Sequence, residues 1–245
     1  MTERNNMIRV LGPIDVLTPE GCVGVGGRQS RVLLGVLVIG VGHAVPMAQL
    51  DEALWAGSPP DSAENTLQSY VSHLRQILGA EAILLTDHSY ELRVGVDGVD
   101  ALVFESLLTQ ADQMRNEPET CRQLAREALS LWRGRPFGDL ADDEAFRLET
   151  YRLEELRLAA MELSFHADLA LGHHNLLVAE LEAAVEEHPY REQLWYYLIA
   201  ALAESNRRVE ALRQCARLRH VLGEVGLDAG DTLAALEQRI IGSGA

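Results

Sequence analysis

Lysine is absent from this chain of 245 residues, and all 21 of its basic side chains are arginine. Every cation it presents is a planar guanidinium, the better bidentate partner for guanine and phosphate. Positive charge is scarce as well. The 37 carboxylates set a formal net charge of −16, which argues against general affinity for nucleic acid. The three cysteines, Cys22, Cys121 and Cys215, are scattered, outside any CxxC and without metal-ligand spacing, and read as small core or surface residues. His173 and His174 are adjacent, so on a helix they point in different directions, and no third ligand has a recognisable spacing from them. The motifs GxxxxGK[ST], GxSxG and HExxH are all missing, so no enzyme, cofactor or metal is expected. The longest apolar run, Val32 to Val41, is too short to span a membrane and is broken by Gly35 and Gly40. The start, MTERNNM, carries no apolar signal core. A cytoplasmic, nucleoid-associated protein is expected.

What is present falls into two textures that meet near Gly95 to Asp100. The first mixes strands, helices and glycine turns. Ile8 to Leu11, Ile14 to Leu17 and Val23 to Val25 read as short strands. Arg28 to Ile39 reads as an apolar helix ended by Gly40 and Gly42. Pro46 opens a second helix, Met47 to Trp55, with Leu50, Leu54 and Trp55 as its buried side. Asp61 with Glu64 resembles a capping box opening a third, Asp61 to Leu78. Two β-like runs, Ala82 to Thr86 and Tyr90 to Val94, are separated by Asp87-His88-Ser89 and should form a hairpin. Strands, three helices and a closing hairpin describe a winged helix-turn-helix.

The third helix has two unlike faces. Leu67, Val71, Leu74 and Leu78 recur at helical spacing, widened by Tyr70 and Ile77. The other side carries Asn65, Gln68, Ser69, Ser72, Arg75 and Gln76, side chains that hydrogen-bond base edges and phosphates. Arg75 is the expected base or phosphate contact. Asn65, Gln68, Ser69 and Ser72 either read bases or meet water. Thr66 stands near the helix start, where its hydroxyl or amide suits a phosphate, and His73 flanks the same face.

From Asp100 to the end the texture is helical. Asp100 caps one helix, Pro118 opens another that runs to Trp132, Phe137 to Leu140 is a loop, and a long helix covers Asp142 to Leu171. Gly172, Pro189, Asn206 and Gly223 then punctuate shorter helices. Gly172 and Asn206 are 34 residues apart, the tetratricopeptide period, and Leu177/Ala211, Leu181/Cys215 and Ala184/Leu218 share that offset. The acids are concentrated here: 6 arginines stand against 10 acids up to Gly95, and 15 against 27 beyond it. The expected fold is mainly α with a small β component, an N-terminal winged helix-turn-helix (1–97) followed by an all-α tetratricopeptide-like domain (98–245).

Five stretches in order, GGRQSRVLL (26–34), LDEALWAGSPPDSAENTLQSYVSHLRQILG (50–79), LWRGRPFGDLAD (131–142), the segment 152–202 and EVGLDAG (224–230), make the chain similar to the SARP family of actinobacterial transcription activators. That resemblance implies an OmpR-like winged-helix DNA-binding domain joined to a bacterial transcriptional activation domain. It implies binding to double-stranded DNA at promoter direct repeats and recruitment of RNA polymerase with its sigma factor, with a homodimer on the DNA left open. The genes served are often those of antibiotic and other secondary-metabolite biosynthesis. The family's reading helix aligns with Thr66 to Leu78 and its wing with Thr86 to Arg93, which adds Thr86, His88 and Arg93 to the expected DNA contacts. Many relatives carry a cation where this chain has His73 and Gln76, and a basic or glycine-proline wing tip in place of Asp87-His88-Ser89. Each cation lost removes a phosphate contact and reduces the salt slope by about 0.9. The alternative is an interaction module that acts on transcription through protein partners without reading DNA.

Other charged groups have several readings. Arg28 and Arg31 pack on aromatic rings, meet solvent or touch phosphate. The run Arg152, Glu154, Glu155, Arg157 reads as a solvated face. Asp142-Asp143-Glu144 reads as a helix-start cap or as an acidic patch for a basic polymerase surface. Trp55, Trp132 and Trp195 fit helix packing.

Overall fold

A computed structural model describes residues 6–242. The chain divides into two compact units, one of Met1–Thr109 with Glu127–Leu158 and the other of Gln110–Arg126 with Ala159–Ala245. The architecture is mainly α with a small β component, a winged helix-turn-helix followed by helical repeats.

In the first unit Met7–Arg9 (β1), Asp15–Thr18 (β2) and Gly21–Gly24 (β3) form an antiparallel meander in which Ile8 faces Val16 and Val16 faces Val23. Helix α1 (Arg28–Ile39) is apolar almost all round and is correspondingly buried from Val32 to Val38. It packs against α2 (Met47–Trp55), α3 (Ala63–Leu78) and the strand Ser89–Leu92. A second sheet has the order β4 (Ala44–Pro46), β6 (Ser89–Leu92), β5 (Ile83–Thr86). Strand β4 is absent from the sequence reading. Val45 is its single buried residue, and three residues carry no period-2 signal.

The capping box at Asp61 does not form. The chain enters α3 at Ser62, which makes no side-chain cap bond, and Asp61 lies outside the helix. Asp100 does more than open α4 (Asp100–Gln113). Its buried carboxylate accepts the backbone N–H groups of Val10 (2.8 Å) and Leu11 (3.1 Å) and lies 3.8 Å from Arg133. α5 (Pro118–Ser130) stops two residues short of Trp132, and the Phe137–Leu140 loop contains a 3-10 turn, Gly138–Leu140. Trp132 meets Phe104 edge-on at 5.3 Å, with the Arg157 guanidinium over its ring at 5.1 Å. The run expected to be solvated is therefore partly structural. Arg152 bonds both Glu105 and Glu149, and Arg135 lies 3.4 Å from Glu154. α6 (Glu144–Ala170) approaches α1 closely where Phe146 covers Gly35. A Cβ on Gly35 would lie 2.5 Å from the Phe146 ring.

In the second unit α7 (His174–Glu187), α8 (Glu192–Glu204), α9 (Arg208–Glu224) and α10 (Asp231–Gly242) form stacked helical pairs. α7 and α9 start 34 residues apart. The three residue pairs sharing that offset, Leu177/Ala211, Leu181/Cys215 and Ala184/Leu218, are all buried. Trp195 is fully buried at the centre and donates its indole N–H to the Pro189 carbonyl (2.9 Å). Gly223 does not end its helix. α9 runs through it, and the turn comes at Gly226 with φ +76°. His173 Nδ1 lies 2.8 Å from the buried Asp168 carboxylate, which also takes Arg122 and Arg126.

Candidate nucleic-acid interface

The site is organised by α3. Leu67, Val71 and Leu74 are buried in the first unit, each contributing on the order of 1.5–3 kcal/mol to seating the helix. This fixes which side stays in water. Asn65, Gln68, Ser69, Ser72, His73 and Gln76 are exposed, while Thr66 and Arg75 are half-buried. Leu78 and Tyr70, counted with the apolar stripe, are only partly buried.

The exposed side chains differ in what they already bond. Ser69 Oγ donates to the Asn65 carbonyl one turn back (2.9 Å), and Gln68 Nε2 is 3.5 Å from Glu64 Oε1. Thr66 Oγ1 sits 3.5 Å from Ser62 Oγ, and its amide is taken by the Ser62 carbonyl. Among the described residues, the side chains of Asn65, Ser72 and Gln76 have no hydrogen-bond partner. These three are donors and acceptors facing solvent along one side of α3. His73 stands by the entry to α1, since a Cβ on Gly26 would lie 3.3 Å from its Nε2.

Arg75 has a role inside the fold. Its Nε and Nη2 both donate to the carbonyl oxygen of Ile83, at 2.9 and 2.6 Å, so the guanidinium fastens the last turn of α3 to β5. Sequence reasoning missed this because the acceptor is a backbone carbonyl, which every residue possesses.

The hairpin of β5 and β6 lies beside α3 in the chain and is tighter than expected. Thr86 pairs with Ser89, leaving a two-residue loop of Asp87 and His88 with φ of 44° and 59°. Two successive positive φ values are the signature of a type I′ turn, whose twist suits a hairpin. Thr86 and His88 are exposed at the tip, and the His88 carbonyl accepts the Met47 N–H (3.0 Å) at the start of α2. Arg93 is exposed, but its guanidinium grips Glu91 by two bonds of 3.0 and 3.1 Å. That pairing lowers the Glu91 carboxyl and raises the Arg93 guanidinium.

Charge on this face is meagre. Between Asp61 and Val94 the carboxylates are Asp61, Glu64, Glu81, Asp87 and Glu91, and the guanidiniums are Arg75 and Arg93 alone. Arg28 and Arg31, at the start of α1, have a partner none of the sequence readings included. They pair with Asp143 (2.6 Å) and Asp139 (2.7 Å). Asp142 pairs with Arg135 (2.8 Å). The acidic run that opens α6 is thus largely spent within the molecule.

Residues 99–241 match the bacterial transcriptional activator domain. Regulatory protein DnrI of Streptomyces peucetius is 33% identical over 96% of this chain and 91% of its own length. Regulatory protein AfsR of Streptomyces griseus is 34% identical over 95% of the chain but only 24% of its own length, so the chain spans about a quarter of that protein. The structure of Mycobacterium tuberculosis EmbR in complex with a low-affinity phosphopeptide superposes with a TM-score of 0.92 at 31% identity, covering 99% of this chain and 66% of that one. A domain match over more than half of the sequence, and a regulator matched along nearly its whole length, place the chain in the SARP family of transcriptional activators, whose members are regulators and not enzymes.

Proposed function

We propose that this chain is a sequence-specific DNA-binding activator that binds direct repeats at promoters and recruits RNA polymerase through contacts that include the sigma factor. In this reading residues 1–97 bind DNA and residues 98–245 form the activation domain. Homodimers assemble on the repeats, and secondary-metabolite genes are the targets. The observation that carries it is the polarity of α3, whose apolar side is buried while Asn65, Ser72 and Gln76 stay unbonded in solvent. The Asn65 and Gln76 amides suit the paired donor and acceptor of adenine in a major groove, and the Ser72 hydroxyl can give or take a hydrogen bond at a base edge. Thr66, Gln68, Ser69 and His73 supply flanking contacts, and Thr86, His88 and Arg93 follow the neighbouring backbone. Arg75 contributes by holding the helix and adds positive potential at its end.

Fluorescence anisotropy tests this with labelled DNA from the intergenic regions around the protein's own gene. Tight binding to one such fragment, weakened by about 1–3 kcal/mol in Asn65→Ala or Gln76→Ala, supports it. Equal affinity for that DNA and a scrambled sequence would sink it.

The shortage of free cations favours a second reading, in which the chain acts on transcription only through protein partners. Arg75 is tied to Ile83, Arg93 to Glu91, and Arg28 and Arg31 to Asp143 and Asp139. Capture of RNA polymerase by the full-length chain, with no DNA binding at low salt, is its signature.

A further inference from the structure

In the first compact unit α1, α2 and the first turn of α6 line a cleft of about 550 Å³. Its volume lies within the range of small-molecule sites. Its apolar part is made by buried Val36 and Leu54 and half-buried Ala53, with Ala145 and Ile39 exposed at the edge. Three carboxylates stand around it, Glu52 from α2 and Asp143 and Glu144 at the start of α6, and the one cation is Arg28. Arg28 Nη2 is 2.6 Å from Asp143 Oδ2, so that pair is neutralised. Glu52 and Glu144 are exposed, and neither has a hydrogen-bond or ion-pair partner among the described residues.

We propose that this cleft is a binding site for a primary ammonium ion with an apolar body, the ammonium held between Glu52 and Glu144 and the body laid on Val36, Leu54 and Ala145. Charge complementarity decides the class. An organic carboxylate would meet two unpaired carboxylates and find Arg28 already taken. A neutral alcohol would gain only the apolar floor. An ammonium has three N–H donors for two carboxylates. It also competes with Arg28 for Asp143, so occupancy would release a guanidinium at the N-terminus of α1. The proposal does not depend on DNA reading, because it concerns ligand binding alone.

The test is isothermal titration calorimetry of the full chain at fixed ionic strength with hexylammonium, hexanol and hexanoate. Saturable one-to-one binding of hexylammonium is expected, with hexanol at least about tenfold weaker and hexanoate undetectable. The variant Glu52→Gln/Glu144→Gln changes only exposed side chains and should weaken hexylammonium about tenfold. The control Glu117→Gln/Glu119→Gln removes as much charge elsewhere and should leave it unchanged. Equal binding of the three probes, no binding of hexylammonium at millimolar concentration, or equal losses in the two double variants would each overturn the proposal.

Discussion

Arg75 and Ile83 are joined by a two-pronged bond, the guanidinium Nε and Nη2 both reaching one backbone carbonyl oxygen at 2.9 and 2.6 Å. This contact spans the turn between α3 and the hairpin and sets where one stands against the other. Arg75→Ala is expected to lower stability by about 1.5–3 kcal/mol, the range for a hydrogen bond with a charged partner. Urea denaturation at pH 7 reads this directly. Arg75→Lys keeps the charge but cannot reproduce the fork, and should recover less than half of the loss. An unchanged urea midpoint in Arg75→Ala, with a DNA salt slope smaller by about 0.9, would instead mark Arg75 as a phosphate contact only.

The wing tip carries one residue poorly suited to it. Asp87 and His88 both hold positive φ, and in a turn that favours Asn-Gly or Asp-Gly Asp87 fits the first place while His88 stands where glycine is preferred. A non-glycine residue in the left-handed region costs roughly 1 kcal/mol. His88→Gly relieves that strain, and the thermal midpoint should rise by a few degrees, in keeping with about 1 kcal/mol for a domain of this size. The backbone bond from Met47 N–H to the residue 88 carbonyl survives the change. A lower midpoint would show that the imidazole itself supports the hairpin.

How far the fold could be read from residues depended on range. The bounds of α1 and α2 were legible to the residue because apolar spacing and the glycine and proline flanks mark them, but Trp55, expected on the buried side of α2, is only half-buried, and Ile39 at the end of α1 is exposed. The polar face of α3 was legible for the same reason. Strand β4 was not, because its existence rests on pairing with β6, more than forty residues further along the chain. The partners of Arg28 and Arg31 lie 115 and 108 residues away, and no local pattern encodes them. Spacing places Arg75 at the edge of the polar face, as an expected DNA contact, but does not show its bond to Ile83. Only the folded course of β5 brings a carbonyl within its reach.

Asp100 gives the first unit a pH dependence. Burial pushes its carboxyl up to about 6 from an ordinary 3.8, partly opposed by the Val10 and Leu11 amides and by Arg133. A raised carboxyl means that the folded chain holds a proton the unfolded chain has released between those two values. Stability from this group therefore falls as pH rises from about 4 to about 6 and stays flat above, a change on the order of 3 kcal/mol. The difference in unfolding free energy between the wild type and Asp100→Asn isolates the group from other titrations. That difference should decline across the same window. A constant difference from pH 4 to 7 would contradict the assignment.

Gly35 and Phe146 mark a close approach of α1 and α6 within the first unit, and its cost can be predicted. The missing side chain at residue 35 is the space the Phe146 ring occupies, and an added Cβ would meet it at 2.5 Å. Phe146 is fully buried against Phe137, with ring centroids 5.0 Å apart, so it has little room to yield. Gly35→Ala should therefore destabilise by about 1–3 kcal/mol, the cost of overpacking, even though alanine is the better helix former by about 1 kcal/mol. Phe146→Leu opens a cavity and is destabilising alone, but it clears the ring from above residue 35. In the double variant the two losses should fall short of their sum by 0.5 kcal/mol or more, the coupling expected of side chains in contact. Urea unfolding of the four proteins measures the coupling. Strict additivity would mean that α1 and α6 move apart to accept the methyl group, and that residue 35 does not fix their spacing.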